Sequence, residues 1–214
     1  MHLSTFERRL RVQLARAQIA YLEATSMSRH EDRLVRRHKL EGALSDAWQA
    51  YCDFVRSVCI NSAIGCVTST GTAIAPSINP PNWQRASYIA IRGAAKRPLH
   101  PTDVNQTKRI EPTWGDVKKI IDIVSALAPV NAPTLISYLA GSLYGPPHCQ
   151  LVRNACAHKN DQNLQGVRDL AVIYLARPIN VPTDCLMWSD TVSGKPTFIS
   201  WLDDMRAIAT DAIK

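Results

Sequence analysis

Apolar residues recur at steps of three and four along several stretches of the chain, a spacing typical of amphipathic helices. In the first stretch the apolar positions are Leu3, Phe6, Leu10, Leu14, Ala17 and Tyr21. Ser4 and Glu7 have the spacing of a capping box, which favours a helix start here. The second stretch runs from about residue 31 past residue 58, and its apolar face carries Leu40, Leu44, Trp48, Tyr51, Val55 and Val58. The two predicted helices could form a hairpin.

Residues 65–113 interrupt this periodicity. The segment contains Gly65, a Thr-rich stretch and prolines at 76, 80, 81, 98 and 101, which break regular helices. A short helix from Trp83 to Ala95 is the one element predicted inside it. Its residues Trp83, Arg85, Tyr88 and Arg92 mix aromatic and basic side chains that could stack on RNA, although ordinary packing explains them better. Such an irregular, Pro/Gly-rich insertion is often functional.

Helical spacing returns from Thr113, with Val117, Ile120, Val124 and Leu127 on one side. Pro133 suits the first turn of a helix carrying Ile136, Leu139 and Leu143, and Pro146 and Pro147 suit the start of the next. Residues 167–175 fit a helix or a buried strand, and we favour a helix. A final helix carries Phe198, Trp201, Leu202, Met205, Ile208 and Ala212. The sequence therefore predicts an all-α fold of six to eight helices in a single domain over residues 1–214.

The charge of the chain indicates the kind of partner it could bind. A formal net charge of +7 favours a polyanionic partner. Basic residues are dense early in the chain, at positions 8, 9, 11 and 16 and again at 33, 36, 37 and 39. A solvated helix face is the favoured interpretation of any single basic run. No apolar stretch is long enough to span a membrane, and the N-terminus lacks the pattern of an export signal. We expect a cytoplasmic protein without a membrane partner.

The six cysteines show no C-x-x-C pair and no metal-ligand spacing. Reduced thiols in a chain without an export signal suggest the cytoplasm. Cys52, Cys59 and Cys66 are seven residues apart, as are Cys149 and Cys156, so each set would share a helix stripe. Small thiols on such a stripe usually pack in the core. No metal site and no cofactor is expected.

The segment LVRNACAHKN, residues 151–160, combines residue types that suit phosphodiester cleavage. Attack by a ribose 2′-hydroxyl requires a proton acceptor, a proton donor and stabilisation of charge on the phosphoryl oxygens. His158 can act as base or acid near neutral pH, and Arg153 offers a fixed cation with a fork of donors. Asn154 can position the phosphate or the imidazole without adding charge. No step of this chemistry requires a metal ion.

Arg153, Asn154 and His158 also match, position by position, the Arg-Asn-x-x-x-His motif of HEPN domains, which this sequence resembles. The resemblance implies an HEPN-like helical bundle with the motif on a late helix. It implies a homodimer whose two motifs form one composite site, and a metal-independent endoribonuclease acting as a toxin or in antiviral defence. An antitoxin or regulatory partner protein would restrain such an activity. RNA would be the substrate, and Arg153, His158 and Asn154 the catalytic residues.

Several alternatives remain open. A helical module that binds RNA or protein without cleaving would explain the charge and the helices equally well. A hydrolase that uses Cys149 or Cys156 as its nucleophile is less favoured, because a cysteine among alanines suggests burial. Arg33 and His38 match a looser form of the motif, but a solvated helix face is the favoured interpretation. Tyr144 and His148 could line the same cleft as the motif, although Tyr144 is better explained as a core residue.

Overall fold

The structure, a computed structural model, describes residues 1–28, 32–100 and 110–214. Its helices are α1 Ser4–Ser26, α2 Arg33–Ile64, α3 Trp83–Ala94, α4 Val117–Leu127, α5 Ala132–Leu139, α6 Gly145–His158, α7 Asp161–Asp169 and α8 Thr197–Ala212. Two 3-10 segments, Leu170–Val172 and Pro182–Met187, and the short strands β1 Cys66–Val67, β2 Ala73–Ile74, β3 Tyr174–Leu175 and β4 Ser189–Asp190 lie between them. The chain is predominantly helical, as predicted.

The apolar faces predicted for the first two helices are confirmed. All the apolar positions proposed for α1 and α2 are buried. Ser4 is the first helical residue, however, and its Oγ lies 3.2 Å from Nδ1 of His2, so it does not occupy the cap position. An ion pair of 3.1 Å between Lys39 Nζ and Glu23 Oε2 joins α2 to α1, which supports the predicted hairpin.

Helix α2 ends at Ile64, which corrects the predicted stripe of three cysteines. Gly65 has a φ of +101°, a conformation that glycine adopts without steric cost. Cys66 therefore lies on β1, not on the helix that carries Cys52 and Cys59. All six cysteines are buried and unpaired with one another, as the packing interpretation requires.

The short helix predicted inside the 65–113 insertion is confirmed as α3. Its start is capped by Asn82, whose Oδ1 accepts a hydrogen bond from the backbone N–H of Arg85 at 2.8 Å. Helix α4 is capped by Asp116, which accepts from the N–H of Lys118. The 101–109 part of the predicted insertion lies outside the described residues.

Two predictions in the second half of the chain are wrong in part. Helix α5 ends at Leu139 and buries Leu135 with Leu139, whereas Leu143 is 41 % exposed. Residues 167–175 are not one helix: α7 ends at Asp169, and a 3-10 turn and β3 follow. An apolar run this short does not distinguish helix from strand by periodicity.

The two small sheets were not predicted. In the first, β1 and β2 are antiparallel and pair Cys66 with Ile74, and His2 forms a bridge to Val67. In the second, β3 and β4 are antiparallel and pair Tyr174 with Asp190. Strands of two residues are too short to produce the alternation by which a strand is recognised in a sequence.

The chain divides into two compact units, which we call unit 1 and unit 2. Unit 1 comprises residues 1–10, 51–142 and 207–214, and unit 2 comprises residues 11–50 and 143–206. The prediction of a single domain stays a prediction. Among the described residues, no helix is both long and apolar enough to cross a bilayer.

Unit 1 contains a buried carboxylate, that of Glu111. Its oxygens accept hydrogen bonds from Arg56, from the hydroxyl of Ser87 and, at 2.9 Å, from Nε1 of Trp114. Burial alone would raise the pKa of Glu111, but these donors together hold that pKa below its ordinary value. The network ties α2 and α3 to the residues that precede α4.

Unit 2 contains α6, the helix that carries the Arg-Asn-x-x-x-His motif, together with most of α8. Tyr21 of α1 packs on Phe198 of α8 with ring centroids 5.1 Å apart. The Tyr21 hydroxyl donates to the backbone oxygen of Leu186 at 3.1 Å. These contacts hold the 3-10 segment Pro182–Met187 against the helices of unit 2.

Candidate active site

The start of α6 is anchored on α8. The backbone N–H of Gly145 donates to Oδ2 of Asp204 at 2.8 Å, which satisfies one of the unpaired donors at this helix end. A Cβ on Gly145 would lie 2.7 Å from the backbone oxygen of Trp201, so only glycine allows this approach. Pro146 and Pro147 occupy the first turn, as predicted. The position of the motif helix is therefore set by α8.

One face of α6 faces the core. Cys149, Val152, Ala155 and Cys156 are buried, at the spacing of a single helix stripe. Arg153 and Asn154 are half-buried and His158 is exposed. The three motif side chains therefore lie outside the packed stripe of the helix, where a substrate can reach them.

The motif side chains are only partly brought together. Nη1 of Arg153 donates to Oδ1 of Asn154 at 3.4 Å. His158 is the last residue of α6, because Lys159 adopts a φ of +23° and Asn160 caps α7. Among the hydrogen bonds of the described residues, none joins Arg153 to His158, as expected for side chains five residues apart on a helix.

Charged residues surround Cys156, next to the motif. Burial raises the pKa of the Cys156 thiol to about 12, and Glu41 raises it further, whereas Arg37, Lys159 and Arg153 oppose this rise. Arg37 also pairs with Glu41 at 2.9 Å. Three cations, Arg153 among them, therefore lower the pKa of this thiol, and one carboxylate raises it.

The same geometry argues against a cysteine nucleophile. A nucleophilic cysteine requires an accessible thiolate, and pKa values near 12 leave almost no thiolate at neutral pH. Cys156 has such a value and is 9 % exposed. Cys149 is completely buried. Both thiols are core residues, as their predicted stripe indicated.

Of the two aromatic side chains near the start of α6, Tyr144 is exposed and His148 is buried. Tyr144 is 57 % exposed, so its prediction as a core residue is wrong, and it stacks on His148 with ring centroids 5.3 Å apart. His148 is buried, and its Nδ1 lies 2.6 Å from the hydroxyl of Tyr174. Trp201 Nε1 donates to the same hydroxyl at 2.8 Å. Burial lowers the pKa of His148 to about 4, so this imidazole is a neutral core group rather than a partner of His158.

The aromatic and basic residues of α3 are used in packing. Nη1 of Arg85 donates to the backbone oxygen of His100, and the Tyr88 hydroxyl accepts from the His100 N–H at 3.2 Å. Arg92 donates twice to the backbone oxygen of Pro98. Trp83 is 40 % exposed. Three of these four side chains therefore hold the segment that follows α3, as the packing interpretation predicted.

The looser motif on α2 has the environment of a solvated helix face. Arg33 and His38 are both exposed. Arg37 and Lys159, in contrast, were not predicted as site residues, and both lower the pKa of the Cys156 thiol, as Arg153 does. Lys159 follows the motif directly, but the approach of α2 to α6 cannot be inferred from spacing.

Neither a metal site in the described part of the chain nor a known relative adds to this picture. Among the described residues, no group of three or more His, Cys, Asp or Glu side chains is placed to hold a metal ion. In comparisons with protein-family models, curated proteins and solved structures, nothing matches this chain.

Proposed function

We propose that the protein is a metal-independent endoribonuclease of the HEPN type, and that Arg153, Asn154 and His158 are its catalytic residues. The observation that carries this proposal is the placement of the motif. Its three polar side chains lie outside the packed stripe of α6, whereas Ala155 and Cys156 between them are buried.

The proposed reaction starts with attack of a ribose 2′-hydroxyl on the adjacent phosphorus. His158 accepts the hydroxyl proton or donates a proton to the leaving 5′-oxygen. Arg153 holds the scissile phosphate and stabilises the charge that develops on its oxygens. Asn154, which already accepts a hydrogen bond from Arg153, orients that guanidinium. The products are a 2′,3′-cyclic phosphate and a 5′-hydroxyl.

A homodimer would complete this site. One imidazole cannot remove the 2′-hydroxyl proton and protonate the leaving oxygen at the same moment, whereas two motifs supply a base and an acid. We therefore propose a composite site in which each subunit contributes Arg153 and His158. A cytoplasmic ribonuclease of this kind would act as a toxin or defence effector, restrained by an antitoxin or regulatory partner.

The test is RNA cleavage by the purified protein in excess EDTA, compared with Arg153→Ala and His158→Ala. We expect cleavage that survives chelation, leaves 2′,3′-cyclic phosphate ends and falls by about 10² to 10⁴ in each variant. Because His158 is exposed and Arg153 half-buried, both variants should retain the wild-type melting temperature within a few degrees.

His38→Ala is the matched control, because His38 is an exposed histidine of the looser motif on α2. It should cleave at the wild-type rate. Metal-dependent cleavage, or equal activity in all variants, would show that the proposal is wrong. Intact RNA with tight, salt-sensitive binding in every variant would identify a non-catalytic RNA-binding module instead.

A further inference from the structure

Unit 2 carries a groove made of three adjoining cavities of about 520, 230 and 510 Å³. The first two share Arg36, Asn180 and Asp184 as lining residues, and the second and third share Arg177 and Trp188. We call it the arginine groove, after the residues Arg33, Arg36, Arg37, Arg168 and Arg177 that line it.

The positive charge of this groove is poorly neutralised. Asp184 is the one carboxylate among its described lining residues, and its Oδ2 accepts the backbone N–H groups of Asn180 at 2.9 Å and Val181 at 3.1 Å. Four of the arginines form no ion pair with another described residue, namely Arg33, Arg36, Arg168 and Arg177. Clustered cations in a concave surface attract a polyanion.

Arg36 has a donor that lacks an acceptor. Its Nη2 group donates to the sulfur of Met187, which is a weak acceptor. Its Nε atom is buried and has no hydrogen-bond partner among the described residues. A buried N–H without a partner is unfavourable, and an anionic oxygen bound in the groove would satisfy it.

The arginine groove and the motif lie on helices that pack together. Arg37 lines the groove from α2, and the Cys149 thiol of α6 donates to the backbone oxygen of Leu44 of α2 at 4.0 Å. All of these residues belong to unit 2. A negatively charged chain bound at Arg153 would therefore find further cations along the same surface.

We propose that the arginine groove binds the phosphodiester backbone of single-stranded RNA next to the scissile phosphate. The inference rests on the proposed function and adds to it the path of the substrate. A single strand can follow a concave groove and present successive phosphates to its walls, whereas a duplex presents a convex surface. The groove supplies affinity, and the motif supplies the chemistry.

The test measures binding of a fluorescently labelled single-stranded RNA by anisotropy, in a His158→Ala background that does not cleave. Arg33→Gln and Arg177→Gln are combined, because both side chains are exposed and both line the groove. Each lost phosphate contact should weaken binding about fivefold at 0.1 M salt, since the slope against log salt is about 0.7 per contact for single strands. The double variant should bind about 25-fold more weakly, with a slope smaller by about 1.4.

The control combines Arg8→Gln with Arg9→Gln, which removes the same charge from exposed residues of α1 that do not line the groove. Its affinity should change less than threefold. Equal losses in the control and the groove variant, no binding of single-stranded RNA, or equally tight binding of duplex DNA would each overturn the proposal. If the protein binds RNA through the groove but never cleaves it, the groove proposal holds and the proposed ribonuclease activity is wrong.

Discussion

At the scale of single residues, burial separates the two histidines of α6. His148 lies on the buried stripe and shares the hydroxyl of Tyr174 with Trp201, whereas His158 is exposed at the end of the helix. Burial disfavours the charged imidazole of His148. Only His158 therefore has the access to solvent and substrate that proton transfer requires.

The pKa of His148 gives unit 2 a sensitivity to acid. Its folded value of about 4 lies below the ordinary histidine value of about 6.5. The free energy of unfolding falls as the pH falls from 6.5 towards 4, because the unfolded chain then binds a proton at His148 that the folded chain excludes. Above pH 6.5 the stability of the folded state is unaffected by this residue. We expect this residue to contribute a loss of about 3 kcal/mol in the free energy of unfolding between these pH values.

Urea unfolding at pH 7 and pH 4 checks this expectation in the wild type, His148→Gln and His158→Gln. The first variant should lose less stability on acidification than the wild type, and the second should behave like the wild type. Asp204, whose pKa is raised by burial, acts in the opposite direction but is present in all three proteins. A His148→Gln variant as acid-sensitive as the wild type would contradict the assignment.

At the scale of elements, two glycines in helices have opposite roles. Gly93 lies where α3 packs against α4, and a Cβ there would lie 2.6 Å from the Cβ of Ala126 and 3.1 Å from the backbone oxygen of Asp122. Gly42 lies in α2, and a Cβ there would meet nothing within 4 Å. The first glycine permits a close helix contact, and the second only weakens its helix.

Alanine at each position separates these two effects. Gly93→Ala should destabilise the protein by about 1 to 3 kcal/mol, because the clash with α4 outweighs the gain in helix propensity. Gly42→Ala should stabilise it by about 0.5 to 1 kcal/mol, since nothing opposes that gain. Chemical denaturation of the two variants measures both changes. A stabilised Gly93→Ala variant would show that α3 and α4 tolerate a wider separation.

At the scale of the whole molecule, the proposed composite site makes activity depend on association. A lone protomer holds one Arg153 and one His158, so it lacks either the base or the acid of the proposed reaction. The excess of positive charge on the chain, +7, also opposes the approach of two copies at low salt. Activity should therefore vary with protein concentration and with ionic strength.

Dilution provides the corresponding measurement. Below the dissociation constant of the dimer, the cleavage rate should rise with the square of the protein concentration, and the rate per molecule should fall on dilution. Circular dichroism at the same concentrations serves as the control that the helices persist. A rate that stays proportional to concentration down to monomeric protein, as judged by sedimentation, would refute the composite site.

How much could be predicted from the sequence differed between the elements. The long faces of α1, α2 and α8 were predicted residue by residue, because many turns of one period leave little ambiguity. Periodicity did not predict the caps of α3 and α4, the two-residue strands or the end of α5. Each of these features depends on one or two residues, which show no period. The switch from α7 to β3 was missed because a short apolar run suits either conformation.

The sequence alone determined the helical class, the burial of the cysteines and the Arg-Asn-x-x-x-His motif, because periodicity, residue type and spacing are local properties. Only the tertiary structure decided which residues surround that motif. The contact of Cys149 with Leu44, the burial of His148 against Tyr174 and the arginine groove all join residues that are distant in the chain. Contacts of that kind depend on how helices pack, which no local pattern encodes.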